Sequence, residues 1–388
     1  MKKLRILSIL LLFTLHIQAE IPIVAYYGVP LAYSNVNRFK EFKEAGFDVS
    51  ICFYDDTPVD TLIRILNDAQ KSGIRLIISS GWVSVQPNIG IPRLKNHPAL
   101  YGYFLQDEPW PADIPETTRR YRAMARYDTS KPTYVNLLPD YDDELPDDAR
   151  MTSYNKYLQA TSAIGLPFIS FDFYPIRESG IRKTWYSCLE NIRQESLRTR
   201  RPFWAFALCT PHVDYPQPTI ETLRLQIYSD LAYGAQAIEY FTYWTPKPTD
   251  EWDFHDAPIS LNGRRTHNYA LVKRMNQELR YVLPLFDGAK IQSVKHMGRI
   301  PEGTTKLSQA PVNIQKLKVS GKQGAIISTM QKDGHLYMIV VNKDYQGDLR
   351  LNLTAKEPVK MITKHLTETA VESSYIIKGG DMLLFKLN

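Results

Sequence analysis

The run Tyr101-Gly102-Tyr103-Phe104-Leu105-Gln106-Asp107-Glu108-Pro109-Trp110 decides how the rest of the chain is read. It begins as an apolar, aromatic segment with the character of a buried strand. It stops at two adjacent carboxylates, followed by a proline that cannot continue a ladder. Two acids at the end of a buried strand are costly to desolvate unless the chain opens there into a polar site. Glu108 therefore marks a candidate polar site at a strand end.

Strand-like apolar runs alternate with helix-like segments on both sides of it. Strands are expected at Ile21–Tyr27, Val49–Tyr54, Arg75–Ser79, the opening run, Thr133–Leu138, Phe168–Phe173, Phe203–Cys209 and Ala237–Trp244. Helices are expected between them. In the stretch Val59–Lys71, for example, Leu62, Ile65, Leu66 and Ala69 recur at helical spacing. Eight strand–helix pairs in succession predict an α/β fold, a (β/α)8 TIM barrel. A doubly wound open sheet is the alternative, disfavoured because no early G-x-G-x-x-G turn is present.

In such a barrel the C-terminal strand ends line one mouth. Those ends carry Tyr27, Asp55, Asp56, Trp82, Asp107, Glu108, Asn136, Asp172, Tyr174, His212 and Trp244. Past about Phe286 the pattern changes to short runs separated by turns such as Lys332-Asp333-Gly334, which predicts a C-terminal antiparallel β-sandwich domain. The expected boundaries are residues 1–19 for a leader, 20–286 for the barrel and 287–388 for the sandwich.

The leader is expected because Lys2, Lys3 and Arg5 precede the apolar run Ile6–Leu15, and Ala19 offers a small residue at the cut. That run is too short to span a bilayer comfortably, so export to the periplasm or outside is expected, with no membrane contact after cleavage. The formal net charge of +6 comes from scattered basic residues, with no stripe of the kind that grips nucleic acid. Three widely spaced cysteines do not form a disulfide framework, and eight dispersed histidines give no metal-ligand spacing. Neither metal nor cofactor is expected. The 24 tyrosines offer flat apolar faces with polar tips, suited to a ligand that is both ring-shaped and hydroxylated.

Cleaving a glycosidic bond needs one carboxylic acid to protonate the departing oxygen and a second carboxylate to attack or to activate water. Glu108 is the candidate acid. Asp107 beside it and partial burial would both raise its pKa. The competing role is a structural one, capping the next helix or pairing with Arg119.

The segment Gly102-Tyr-Phe-Leu-Gln-Asp-Glu-Pro109 resembles the fourth-strand acid/base segment of clan GH-A glycoside hydrolases. Ile169-Ser-Phe-Asp-Phe-Tyr-Pro175 is similar to the sixth-strand segment of family-42-type β-galactosidases. Arg201-Pro-Phe-Trp204 resembles the opening of their seventh strand, and Gly234 through Trp244 their eighth. The resemblance implies a barrel hydrolase acting on carbohydrate, with Glu108 as acid/base and Trp244 lining a sugar subsite. Asp107 stands where the clan usually has an Asn that binds the sugar 2-hydroxyl.

One departure is serious. The clan's nucleophile is a seventh-strand Glu. Here that place falls near Ala207, and no acid lies between Arg201 and Thr210. Glu239 on the eighth strand is the preferred second carboxylate and Asp172 the reserve; Asp214 is a third possibility. Glu239 could equally be a buried acid paired with a core Arg or Tyr. Asp107, Trp82, Asn136, Tyr174, His212, Tyr243 and Trp244 are the expected substrate-binding residues, with Trp82 and Trp244 as the first stacking platforms. The sequence thus points to an exported glycoside hydrolase. A non-catalytic carbohydrate-binding protein on a degenerate hydrolase barrel is the rival.

Overall fold

A computed structural model describes residues 21–141 and 153–388 of the chain. The expected leader, and all but the first two residues of the acidic loop Asp140–Arg150, lie outside the described residues. Eight parallel strands close a barrel: β1 (Ile23–Ala25), β2 (Val49–Phe53), β3 (Arg75–Ser79), β4 (Leu100–Asp107), β5 (Thr133–Leu137), β6 (Ile169–Phe171), β7 (Phe203–Leu208) and β8 (Ile238–Phe241). Each pairs with its sequence neighbour, and β1 pairs with β8 to complete the ring.

The helices around the ring are α1 (Val36–Glu44), α2 (Val59–Lys71), α3 (Gly81–Ser84), α4 (Pro87–Leu94), α5 (Ile114–Ala125), α6 (Tyr154–Ser162), α7 (Trp185–Thr199), α8 (Ile220–Tyr233) and α9 (His267–Phe286). Helix α2 buries Leu62, Ile65, Leu66 and Ala69, the stripe its spacing predicts. The short α3 and α4 were not anticipated. Pro92 lies inside α4.

Alternation along the strands divides the apolar residues between two cores. Val24, Ile51, Ile77, Phe104, Tyr134, Phe168, Trp204, Phe206 and Ala237 fill the lumen. Phe168 and Trp204 stack there with ring centroids 3.9 Å apart, so the barrel is plugged beneath its mouth. The residues between them, such as Val135, Phe171, Ala205 and Ile238, face the helices.

After α9 come nine antiparallel strands: β9 (Lys290–Gly298), β10 (Ile314–Ser320), β11 (Gly324–Lys332), β12 (His335–Asn342), β13 (Leu349–Ala355), β14 (Lys360–Ile362), β15 (Glu368–Thr369), β16 (Ser374–Ile377) and β17 (Met382–Lys386). They form a six-stranded sheet in the order β9-β11-β12-β17-β14-β15 and a three-stranded sheet β10-β13-β16. The two sheets share a core of Ile327, Met338, Val340, Leu351 and Phe385. Sequence pattern does not mark β9, β10, β15 or β16, where polar residues such as Lys, Gln, Glu and Ser interrupt the apolar run.

The larger sheet is buried on both sides. Ile326, Met330, Ile339, Val341 and Leu384 point the other way and join the barrel's outer core. Helix α8 lies between barrel and sheet. It is covered nearly all round, and 12 of its residues are buried. Ser328 on β11 donates a hydrogen bond to the Ala232 carbonyl of α8, 2.8 Å away.

Candidate active site

The site is built on the ends of β4, β5 and β6. Strand β4 carries a bulge at Leu105: Phe104 pairs with Tyr134, but Gln106 pairs with Val135. Leu105 and Gln106 both point outward as a result. Leu105 joins the outer core, and Gln106 accepts a hydrogen bond from Thr117 on α5 at 2.7 Å. The bulge resets the alternation, so Asp107 faces the lumen level with Asn136. Glu108 then takes a φ of 40°, the left-handed region that non-glycine residues seldom occupy. That turn brings a second consecutive acid to the mouth.

Left-handed backbone recurs around this mouth. Tyr27 after β1, Val213 after β7 and Asp256 after β8 have φ values of 44°, 49° and 49°. Val213 is β-branched, for which this region is a genuine outlier. Such residues persist only where their surroundings hold them, and they gather at functional sites.

Asn136 organises the acids. Its amide donates to Asp172 at 2.7 Å and to Asp107 at 3.2 Å. Ser170 donates to its carbonyl oxygen at 3.1 Å, which fixes which end of the amide faces the acids. Asp107 opens to solvent while Tyr26 also hydrogen-bonds to it. The carboxyls of Glu108 and Asp172 are hydrogen-bonded to each other. Burial raises the Glu108 pKa most, then the charges of Asp172 and Asp107. Asp172 is raised as well, by burial and then by Asp107. Two buried carboxyls in contact share a proton, and Glu108 is the one that keeps it near neutrality.

Aromatic rings wall the mouth. Tyr26, Tyr27 and Phe53 cluster with centroids 5.0–5.2 Å apart, and Tyr174 lies 5.5 Å from Phe241. Trp252 and Phe254 stack at an interplanar angle of 7°, over His212. Tyr27 and Trp252 remain 40% and 42% exposed, so their faces are open to a ligand.

The structure brings Glu108, Asp107, Asn136, Asp172 and Tyr174 together and leaves others of the expected set elsewhere. Glu239 lies in the lumen below them with no exposure. Its two oxygens accept from Tyr134 at 2.8 Å and Ser170 at 2.7 Å, so it is sealed from substrate. This corrects the expectation that it serves as second carboxylate. Tyr243 points outward against Phe42 and Phe47 and belongs to the outer core. Trp244 is 5% exposed, with Tyr33 covering it at 4.6 Å, so it offers no open platform. Trp82 packs on the outer core with its indole N–H donating to the Thr57 carbonyl at 3.0 Å. His212 is buried, with Nδ1 2.8 Å from the Thr210 carbonyl. Asp214 pairs with Arg177.

At the place of the missing nucleophile, Ala207 faces the outer core. The lumen-facing residues of β7 are Trp204, Phe206 and Leu208. Sequence reasoning passed over Phe53, Phe241 and Phe254, which lack the polar tip that signals a site. Retaining hydrolases hold their carboxyls about 5–5.5 Å apart and inverting ones about 6.5–9.5 Å apart. A direct hydrogen bond between Glu108 and Asp172 is closer than either.

No family model matches the sequence, and no curated protein is returned as a relative. Solved structures do match. A catalytic mutant of a GH42 β-galactosidase from G. stearothermophilus superposes with a TM-score of 0.65 at 10% identity, covering 95% of this chain and 98% of that one. A β-galactosidase from Bacillus circulans sp. alkalophilus gives 0.59 at 10% identity, covering 95% and 99%. A glycoside hydrolase family 5 protein from Bacteroides vulgatus gives 0.59 at 10% identity, covering 95% and 89%. Barrel and added sheets together thus share the fold of these structures.

Proposed function

We propose that this chain is an exported glycoside hydrolase that cleaves a β-glycosidic bond, with Glu108 as general acid. The observation that carries this reading is Glu108 itself. A strand bulge and a left-handed turn aim it into an aromatic-walled mouth, beside a carboxylate that raises its pKa. An acid that holds its proton near neutrality is what the departing sugar oxygen requires. Asp107 binds a hydroxyl, and the open faces of Tyr27 and Trp252 stack on the sugar.

A second reading is a carbohydrate-binding protein without turnover. The hydrocarbon lining of β7 at Leu208 favours it. Aryl β-glycosides and polysaccharides should be screened with wild type and Glu108→Gln. Turnover by the wild type that falls about 10³-fold or more in the variant, with sugar binding kept, supports hydrolysis. Sugar binding without turnover in either protein establishes the second reading. Export is tested separately by cell fractionation of the full chain, with and without residues 2–19.

A further inference from the structure

We infer that the substrate is a β-linked N-acetylhexosaminide whose own 2-acetamido oxygen acts as the nucleophile, with Asp172 holding the amide N–H. This rests on Glu108 being the general acid, and it names the partner that Glu108 otherwise lacks.

Three observations converge on it. First, β7 turns only Trp204, Phe206 and Leu208 to the lumen, and Glu239 is sealed by Tyr134 and Ser170. Among the described residues, then, neither β7 nor β8 presents a carboxylate to the mouth. Second, Asp172 touches Glu108, on the same side as the acid. A group there is misplaced for attack but well placed for an amide lying beside the scissile bond. Asn136 holds it at 2.7 Å, so its orientation is set before substrate arrives. Third, Tyr174, Phe206 and Phe241 form an apolar wall next to Asp172, with Tyr174 5.5 Å from Phe241 and 6.5 Å from Phe206. An acetamido methyl fits such a wall; a bare hydroxyl does not.

The chemistry closes without any further reactant than water. The acetamido carbonyl oxygen forms a bond to the anomeric carbon while the bond to the leaving oxygen breaks. The leaving oxygen takes the electron pair and the Glu108 proton. The positive charge that develops on the amide lies against the Asp172 carboxylate. Water then attacks the anomeric carbon, its proton passes to the Glu108 carboxylate, and the ring bond opens to restore the acetamide. The anomeric configuration is retained. A tethered nucleophile also gains the large effective molarity of an intramolecular reaction.

The test compares 4-nitrophenyl β-N-acetylglucosaminide and β-N-acetylgalactosaminide with the matching β-glucoside and β-galactoside. The acetamido substrates should be preferred about 10³-fold or more in kcat/KM. Replacing the acetyl by mono-, di- and trifluoroacetyl weakens the carbonyl oxygen, and kcat should fall progressively, by about 10²-fold in total. Asp172→Asn should lose about 10²-fold in kcat on the acetamido substrates with little change in KM. A flat response to fluorination, or equal Glu108-dependent turnover of plain glycosides, overturns the inference while leaving Glu108 as a hydrolase acid. Failure to cleave either acetamido glycoside, with turnover elsewhere in the wider glycoside screen, likewise overturns the inference alone; no turnover anywhere in that screen overturns both.

Discussion

Asp107, Glu108 and Asp172 are three acids gathered around one amide, and their proton affinities set how the mouth responds to pH. Glu108 must be protonated to act, so activity should be present below its raised pKa and lost as pH rises through it. Asp107 is one cause of that rise. Asp107→Asn removes a like charge, lowers the Glu108 pKa and should move the alkaline limb of the kcat profile to lower pH. A limb that stays put would show that Asp107 does not act on Glu108.

Glu239 makes a second prediction, about stability. Burial pushes its pKa to about 8, against the pull of hydrogen bonds from Ser170 and Tyr134. The native state thus binds a proton more tightly than the unfolded chain. The stabilisation is complete below the ordinary value of 4.5 and is lost as pH rises towards 8. In urea titrations the wild type should weaken by on the order of a few kcal/mol across that window, and Glu239→Gln should flatten the slope. Ser170 links Glu239 to the acids above: its hydroxyl lies 2.7 Å from Glu239 and 3.1 Å from the Asn136 carbonyl oxygen, and Asn136 donates to Asp172. Glu239 was recognisable in sequence as a buried acid. Its role was not, because Tyr134 and Ser170 are 105 and 69 residues away.

At the scale of elements, the strand count was legible because apolar runs and helical spacing alternate cleanly. Side-chain direction was not. A period of two, run straight through β4, sends Gln106 inward and Asp107 outward, and only the bulge at Leu105 reverses them. Tyr243 and Trp244 were misplaced for the same kind of reason, since the chain leaves regular strand geometry at Phe241. Strand β4 also depends on Gly102. A Cβ there would lie 2.5 Å from the Pro132 carbonyl, which accepts from Tyr103 at 2.9 Å. Gly102→Ala should force β4 away from β5, costing roughly 1–3 kcal/mol in urea unfolding and displacing Glu108 from Asn136. The Glu108-dependent activity should drop more than stability alone accounts for, read at a temperature where the variant is fully folded.

At the scale of the molecule, an ionic network ties the halves together. Arg224 on α8 and Lys364 after β14 both bind Glu278 of α9, and both also reach Asp381 beside β17. Tyr228 donates to the same Glu278. Burial pushes the Glu278 carboxyl up, but its hydrogen bonds from Arg224, Lys364 and Tyr228 prevail and hold it at about 2. Its contribution is therefore present above the ordinary carboxylate range and lost as pH falls towards 2. Glu278→Gln leaves Arg224 and Lys364 with Asp381 alone and should cost roughly 1–3 kcal/mol. All six tryptophans lie in the barrel, so their fluorescence reports that half alone. Lys364→Met, a change in the other half, should still lower the urea midpoint seen by tryptophan fluorescence, with one transition shared by far-UV circular dichroism. Two separated transitions would mean that the halves unfold independently.

The six-stranded sheet with two buried faces has a consequence for how such a chain can change over time. A domain that moves between genes as a cassette must close its own core. Residues 290–388 do not, since Ile326, Met330, Ile339, Val341 and Leu384 would lie bare without α8. Each such side chain is worth about 1.5–3 kcal/mol when buried. The two halves are therefore bound to a common inheritance. Substitutions on α8 and on β11, β12 and β17 should appear in matched pairs among descendants of this chain, whatever sugar the mouth comes to accept.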